Sequence, residues 1–140
     1  MYFEKPGKEN TAKTAELAIA AAKEAGIQTI VVASGSGYTA SFFQQAAKEG
    51  MKIVVVARVN GFKEPGKQDF PQEVRRQLEQ DGMQLVIAAH ALSGAERGLS
   101  NRFGGVYPVE IIAHTLRMLG QGTKVCVECA VMALDCGAIQ

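Results

Sequence analysis

The stretch I-V-V-A-S-G-S-G-Y-T-A, Ile30 to Ala40, sets an apolar run directly before two glycines and three small hydroxyls. A continuous Val/Ile run, without the alternation of a half-exposed strand, marks a strand buried on both faces, and such strands belong to parallel sheets covered by helices. The glycines then turn the chain, and a helix opens at Tyr38 or Thr39. The unit is therefore strand, turn, helix, and its repetition along the chain predicts an α/β fold.

Before this unit, Asn10 or Thr11 can cap a first helix with an apolar face of Leu17, Ala18, Ala21, Ala22 and Ala25 and a stop at Gly26. The first strand is expected over Ile27 to Ala33. A helix from Thr39 to Gly50 comes next, carrying Phe42, Phe43, Ala46 and Ala47, and then a second strand over Ile53 to Ala57. Asp69 is expected to start the next helix, with Gln72 three residues on, Val74 and Leu78 inward and Gly82 at its end, before a third strand over Leu85 to Ala89. Pro6-Gly7-Lys8 and Pro65-Gly66-Lys67 are the same turn chemistry used twice.

His90 to Tyr107 is too long for a bare connection, so it should be functional or contain helix; Ser93 and Glu96 fit a capping box for a helix from Gly94. Pro108 fits the first turn of a helix with Val109, Ile112, Ala113, Leu116 and Leu119 on one face, ended by Gly120. In the final helix, Lys124, Glu128 and Asp135 form one narrow polar stripe on an otherwise apolar surface. Such a helix must be buried on more than one side, and Thr123 to Asp135 is expected to be covered in a homo-oligomer.

With 140 residues and 47% apolar content, the chain suits a single domain over residues 1–140. A net charge of +1 spread without a basic block argues against nucleic acid and against an anionic membrane as partner. The longest uncharged stretch, Ala25 to Ala47, holds too many polar groups to cross a bilayer, and the N-terminus lacks a secretory pattern, so the cytoplasm is the expected location. Cys126, Cys129 and Cys136 are expected to be free, buried, structural thiols. Cys126 and Cys129 form C-x-x-C, but His90 and His114 lack the spacing to complete a metal site.

The opening stretch has the chemistry of an anion site. Free N–H groups at a helix start favour negative charge, Ser34, Ser36 and Thr39 add hydroxyl donors, and Gly35 and Gly37 allow close approach. Gly35 to Ala40 also satisfies G-x-G-x-x-A, and Arg58 stands near where a 2′-phosphate partner would sit, so a dinucleotide remains the alternative. Three hydroxyls suit a terminal phosphate monoester better than a pyrophosphate held by bare backbone. Among acid/base pairs, Glu96 with His90 is the one combination worth inspecting; Arg102 reads as a solvated charge.

S-G-S-G-Y-T-A resembles the effector-phosphate loop of the pyruvate kinase C-terminal domain. Y-F-E-K-P-G-K-E-N-T, G-F-K-E-P-G-K, H-A-L-S-G-A-E-R, N-R-F-G-G-V-Y-P-V-E-I-I-A-H-T-L-R and G-Q-G-T-K-V-C-V-E-C-A-V-M-A-L-D extend the resemblance to the small stand-alone proteins sharing that domain's fold, over essentially the whole chain. The resemblance implies a three-layer α/β/α sandwich with a mostly parallel sheet of order 3-2-1-4-5 and no kinase barrel. It implies a phosphate held by Ser34, Gly35, Ser36, Gly37, Tyr38 and Thr39, and FMN as cofactor, as in some similar proteins, with a sugar phosphate second. His90, Ser93 and Arg97, at the end of the third strand, are the next residues expected to face the ligand. Relatives continue past the cysteine helix into further strands, so strands four and five are in doubt here. The expected function is binding of a phosphorylated small molecule without pyruvate kinase activity. An NADP- or flavin-dependent oxidoreductase and a non-catalytic assembly domain are the alternatives.

Overall fold

β2 (Lys52–Ala57) occupies the centre of a three-stranded parallel sheet, flanked by β1 (Thr29–Ala33) and β3 (Gln84–Ile87). The structure is a computed structural model and describes residues 2–140. Ile30 pairs with Ile53 and Val32 with Val55, while Val55 pairs with Leu85 on the other side. Ile53, Val55 and Ala57 enter one core and Val54 and Val56 another, none more than 5% exposed. Each fully buried Val or Ile contributes about 1.5–3 kcal/mol, which is why the continuous apolar run becomes the middle strand.

Helices cover both faces of the sheet. On one lie α1 (Thr11–Glu24), α2 (Tyr38–Ser41), α3 (Gln44–Lys48) and α4 (Gln72–Gln80), which bury Ala15, Ala40, Phe43 and Leu78 against Val32, Ile53 and Val55. On the other lies α7 (Gln121–Asp135), with Cys129, Met132 and Ala133 on Val54, Val56 and Val86. α6 (Pro108–Arg117) packs on α7, and α5 (Gly94–Phe103) packs on α6. The result is a three-layer α/β/α sandwich. Its strand order matches the first three strands of 3-2-1-4-5; among the described residues no fourth or fifth strand is formed. No helix among them is long and apolar enough to cross a membrane.

Several elements depart from expectation for identifiable reasons. β1 begins at Thr29, and Ile27 is half exposed. The helix expected over Thr39 to Gly50 is two short pieces, because Phe42 and Phe43 bond to carbonyls three residues back rather than four, which interrupts the α ladder and lets Phe43 enter the core. Asp69 does not start α4: Pro71 precedes its first residue, Gln72, and the Phe70 N–H is taken by Gln68 Oε1 at 2.9 Å. The third strand ends at Ile87.

α5 begins after Ser93, but Ser93 makes no side-chain cap. Glu96 instead accepts the Val109 N–H at 2.8 Å, capping the start of α6 thirteen residues on, and Ser100 Oγ donates to Glu110 at 2.8 Å. The two helices are tied by these long reaches rather than by a local box. On α6 only Ala113 of the expected apolar face is buried; Ile112 and Leu119 are exposed beside Ile111 and Met118. α7 is rotated from expectation. Its charged residues Lys124 and Glu128 point inward and are buried, while Val127, Val131 and Leu134 face out.

Candidate functional site

The three strands end side by side, and the segments leaving them converge on one cleft of about 480 Å³. Ser34 and Gly35 come from the end of β1, Arg58 from β2, and His90, Ser93 and Arg97 from the segment after β3. Phe62 contributes from the β2–α4 loop, and α6 and α7 close the far side with Arg117, Gln121, Lys124, Val125, Glu128, Cys129 and Met132. This is the crevice beyond the carboxyl ends of parallel strands, where α/β sheets hold ligands.

The turn after β1 is built from inside. The Ser34 N–H continues the ladder to Val56 O at 3.0 Å, and its Oγ accepts the Ala40 N–H at 3.4 Å, so the hydroxyl braces the base of α2. Gly37 has φ +87° and precedes the helix. Among the described residues no acceptor is bonded to the N–H groups of Gly35, Ser36, Gly37, Tyr38 or Thr39. Five consecutive backbone N–H groups of the turn thus have no acceptor within the protein. α2 is a single turn of four residues, so the aligned dipole anticipated from a long helix shrinks to that of one turn, and the other positive charge near the turn comes from side chains.

Those cations are concentrated. Arg58, Arg97, Arg117 and Lys124 line the cleft against one carboxylate, Glu128, although the whole chain carries only +1. Among the described residues neither Arg97 nor Arg117 forms an ion pair. Charges of one sign in a walled cleft focus the field on an incoming anion. Arg58 lies over the turn itself: a Cβ on Gly35 would stand 3.0 Å from its Cζ and Nε. A side chain at Gly35 would thus displace the Arg58 guanidinium by a few tenths of an ångström. Lys124 is neutralised by Glu128 at 2.5 Å, the two side chains being 6% and 9% exposed, and Glu128 also accepts the Leu92 N–H at 2.9 Å.

Of the residues expected to hold a ligand, the cleft gathers Ser34, Gly35, His90, Ser93 and Arg97. Ser36 is exposed on the turn. Gly37 packs beneath it against Val74 and Phe70. The Tyr38 ring sits edge-on to Phe42 at 5.3 Å with the Lys8 ammonium 3.8 Å above it. Thr39 lines a separate hollow of about 240 Å³ with Asn10, Thr11 and Phe43. Glu96 is occupied with α6, and the His90 ring lies 5.7 Å from that of Phe62, so the two do not form the acid/base pair considered from sequence.

Arg117, Lys124 and Glu128 escaped the sequence reading because helix patterning assigns charged residues outward. A lysine and a glutamate four apart on an otherwise apolar helix were the available signal. Phe62 had none.

All three cysteines are free, but only Cys129 is buried; Cys126 and Cys136 are exposed, correcting the expectation of three buried thiols. Among the described residues no group of three or more His, Cys, Asp or Glu is placed to hold a metal. Burial, and then the neighbouring Glu128 charge, push the Cys129 thiol from its ordinary 9.0 up to about 11. The thiolate is the reactive form, so Cys126 and Cys136 should be alkylated by iodoacetamide at pH 8 well before Cys129, which should react only on unfolding. Mass mapping of a time course checks this; equal rates at Cys126 and Cys129 would contradict the burial. The unfolded thiol ionises from about 9.0 and the folded one only near 11, so this group's stabilising contribution is complete below pH 9.0 and declines as pH rises toward 11.

A parallel α/β sandwich with a glycine–serine turn at its first strand end and a cleft lined by basic side chains beyond the sheet is what the chain's sequence builds. The family model described as Pyruvate kinase, alpha/beta domain, matches residues 12–137, and the chain belongs to that family.

Proposed function

We propose that this protein binds a phosphorylated small molecule in the strand-end cleft, the phosphate lying where the Gly35 end of the Gly35–Thr39 turn and the Arg58 guanidinium meet the cleft. The observation that carries the reading is the run of five unbonded N–H groups with a cation held over its first residue. Charge-assisted bonds from such donors are the strong ones.

FMN is the favoured ligand and a sugar phosphate the second. The residues present fit a flat ring joined to a monophosphate. Phe62 and His90 line the cleft with rings 5.7 Å apart and tilted by 46°, Val125 and Met132 add apolar surface, and a cleft of about 480 Å³ lies within the usual range for small-molecule sites. Bound FMN would supply one- and two-electron redox chemistry at its ring, while the chain's own groups bind the phosphate and orient the ring. A dinucleotide is less well served, since Arg58 stands over the turn itself rather than out where a ribose phosphate would lie.

Native mass spectrometry of the protein with and without FMN tests the reading, together with titration of Ser36→Asp. Ser36 is exposed, so the variant should fold normally. Its carboxylate would oppose the phosphate, and FMN affinity should fall by about a hundredfold, the loss of one or two charge-assisted bonds. Unchanged affinity would mean that the turn is only a turn.

The protein is also proposed to self-associate. Ile111 and Ile112 on α6, Met118 and Leu119 just after it, and Val127, Val131 and Leu134 on α7 are exposed apolar side chains on neighbouring elements, and a contiguous apolar patch is what an interface covers. Light scattering at micromolar concentration should give a mass above that of the 14.9 kDa chain, and a monodisperse monomer would refute it.

A further inference from the structure

The β2–α4 loop holds a carboxylate that the proposed binding site does not itself use. The Asp69 side chain is 9% exposed, and its Oδ2 has no hydrogen-bond donor among the described residues. Two cations face it at longer range, Arg58 Nη1 at 3.6 Å and Lys63 Nζ at 3.7 Å. A buried carboxylate oxygen left without a donor is costly, so a position that keeps one needs a reason.

The surrounding bonds supply it. Gln68 Nε2 donates to the Arg58 carbonyl at 3.1 Å and to Asn60 Oδ1 at 2.7 Å, while Gln68 Oε1 accepts the Phe70 N–H. The Gln68 side chain thus ties the Phe70 N–H, just after Asp69, to the Arg58 carbonyl, and the Asp69 carboxylate faces the Arg58 guanidinium and the Lys63 ammonium rather than solvent. Arg58 also lies over the Phe62 ring at 5.1 Å and against Gly35. An arginine side chain free in water has many rotamers, and each must be given up when it meets a ligand. Held between Asp69, Phe62 and Gly35, it is already oriented.

We propose that Asp69 is the positioning residue of the anion site: its buried carboxylate fixes the Arg58 guanidinium over Gly35, where it meets the ligand phosphate. This rests on the phosphate-binding reading above. The two possible roles of Asp69 predict opposite signs. As a mere neighbouring negative charge it repels the phosphate, and its removal strengthens binding. As the group that orients Arg58, its removal weakens binding, and only while Arg58 is present.

The test titrates FMN and, separately, inorganic phosphate against the parent, Asp69→Asn, Arg58→Ala and the double variant at fixed ionic strength. Asp69→Asn should weaken both by about tenfold, Arg58→Ala by at least as much, and the double variant no further than Arg58→Ala alone. Gly35→Ala, which crowds Arg58 from the opposite side without touching Asp69, should reproduce the loss and serves if Asp69→Asn folds poorly. A readout without ligand is the Arg58 Nε–H signal in ¹H–¹⁵N spectra, assigned by its disappearance in Arg58→Lys; it should shift in Asp69→Asn. Unchanged or tighter binding by Asp69→Asn, losses that add in the double variant, or an unmoved Nε–H signal overturns the proposal while leaving the phosphate site standing. Failure of the parent to bind either FMN or phosphate overturns the phosphate reading, and the proposal with it.

Discussion

Replacing Glu128 by leucine is expected to destabilise the fold by about 3–5 kcal/mol, the cost of leaving one member of a buried ion pair without its partner. The Lys124 and Glu128 side chains are 6% and 9% exposed and meet at 2.5 Å. Three effects act together. The Lys124 ammonium loses its counter-charge in a low-dielectric site, the Leu92 N–H loses its acceptor, and a cleft with four cations loses its one lining carboxylate. For a domain of this size the melting temperature should drop by roughly 10–20 °C.

The control is Lys124→Met with Glu128→Gln. Glutamine keeps an acceptor for the Leu92 N–H, and methionine fills the volume of the lysine stem without a charge. Replacing both members of a buried pair by neutral groups of similar shape is often neutral or stabilising, so the double variant should recover most of what Glu128→Leu loses. Thermal denaturation monitored by circular dichroism reads the cycle. A Glu128→Leu protein melting within a degree or two of the parent would show that the cleft admits enough water to solvate Lys124, and the pair would then matter little to stability.

This pair also marks where sequence reading stopped. The strands were legible because their residues are apolar on both faces, and a continuous Val/Ile run such as Ile53 to Val56 has few other places to go. α1 and α4 end before Gly26 and Gly82 as expected, since helix termination is a local event. The turn after β1 was legible as a chemical type from its glycines and hydroxyls. What could not be read was decided by partners distant in sequence. Glu128 points inward because the Leu92 N–H, 36 residues away, donates to its carboxylate. Glu96 serves Val109 instead of its own helix start. Arg58 could be read only as lying after a strand, near where a 2′-phosphate partner would sit in the alternative reading; its neighbours Asp69 and Gly35 are joined to it by no local pattern. Local rules give a residue's chemistry; its direction is settled by whichever neighbour satisfies it.

The second large effect is expected at Gly37, where valine should destabilise the protein by about 2–5 kcal/mol through two additive costs. At φ +87° the backbone lies where an L-residue crowds its own carbonyl, a cost of about 1–2 kcal/mol that β-branching increases. A Cβ there would also overlap Val74 Cγ1 and come within 3.5 Å of Phe70 Cζ, an overpacking worth about 1–3 kcal/mol. The substitution therefore reaches the core through α4 and is not confined to the ligand side of the turn. Adding Val74→Ala should relieve the overlap but not the backbone strain, so chemical denaturation should show partial recovery. If Gly37→Val unfolds at the parent's midpoint, neither cost is present. Set beside Ser36→Asp, the variant separates two properties of the same turn. A charge at exposed Ser36 should weaken binding by about a hundredfold and leave stability near the parent's, whereas a side chain at Gly37 should lower both, because Gly37, within the Gly35–Thr39 turn, packs on Val74 and Phe70 beneath it.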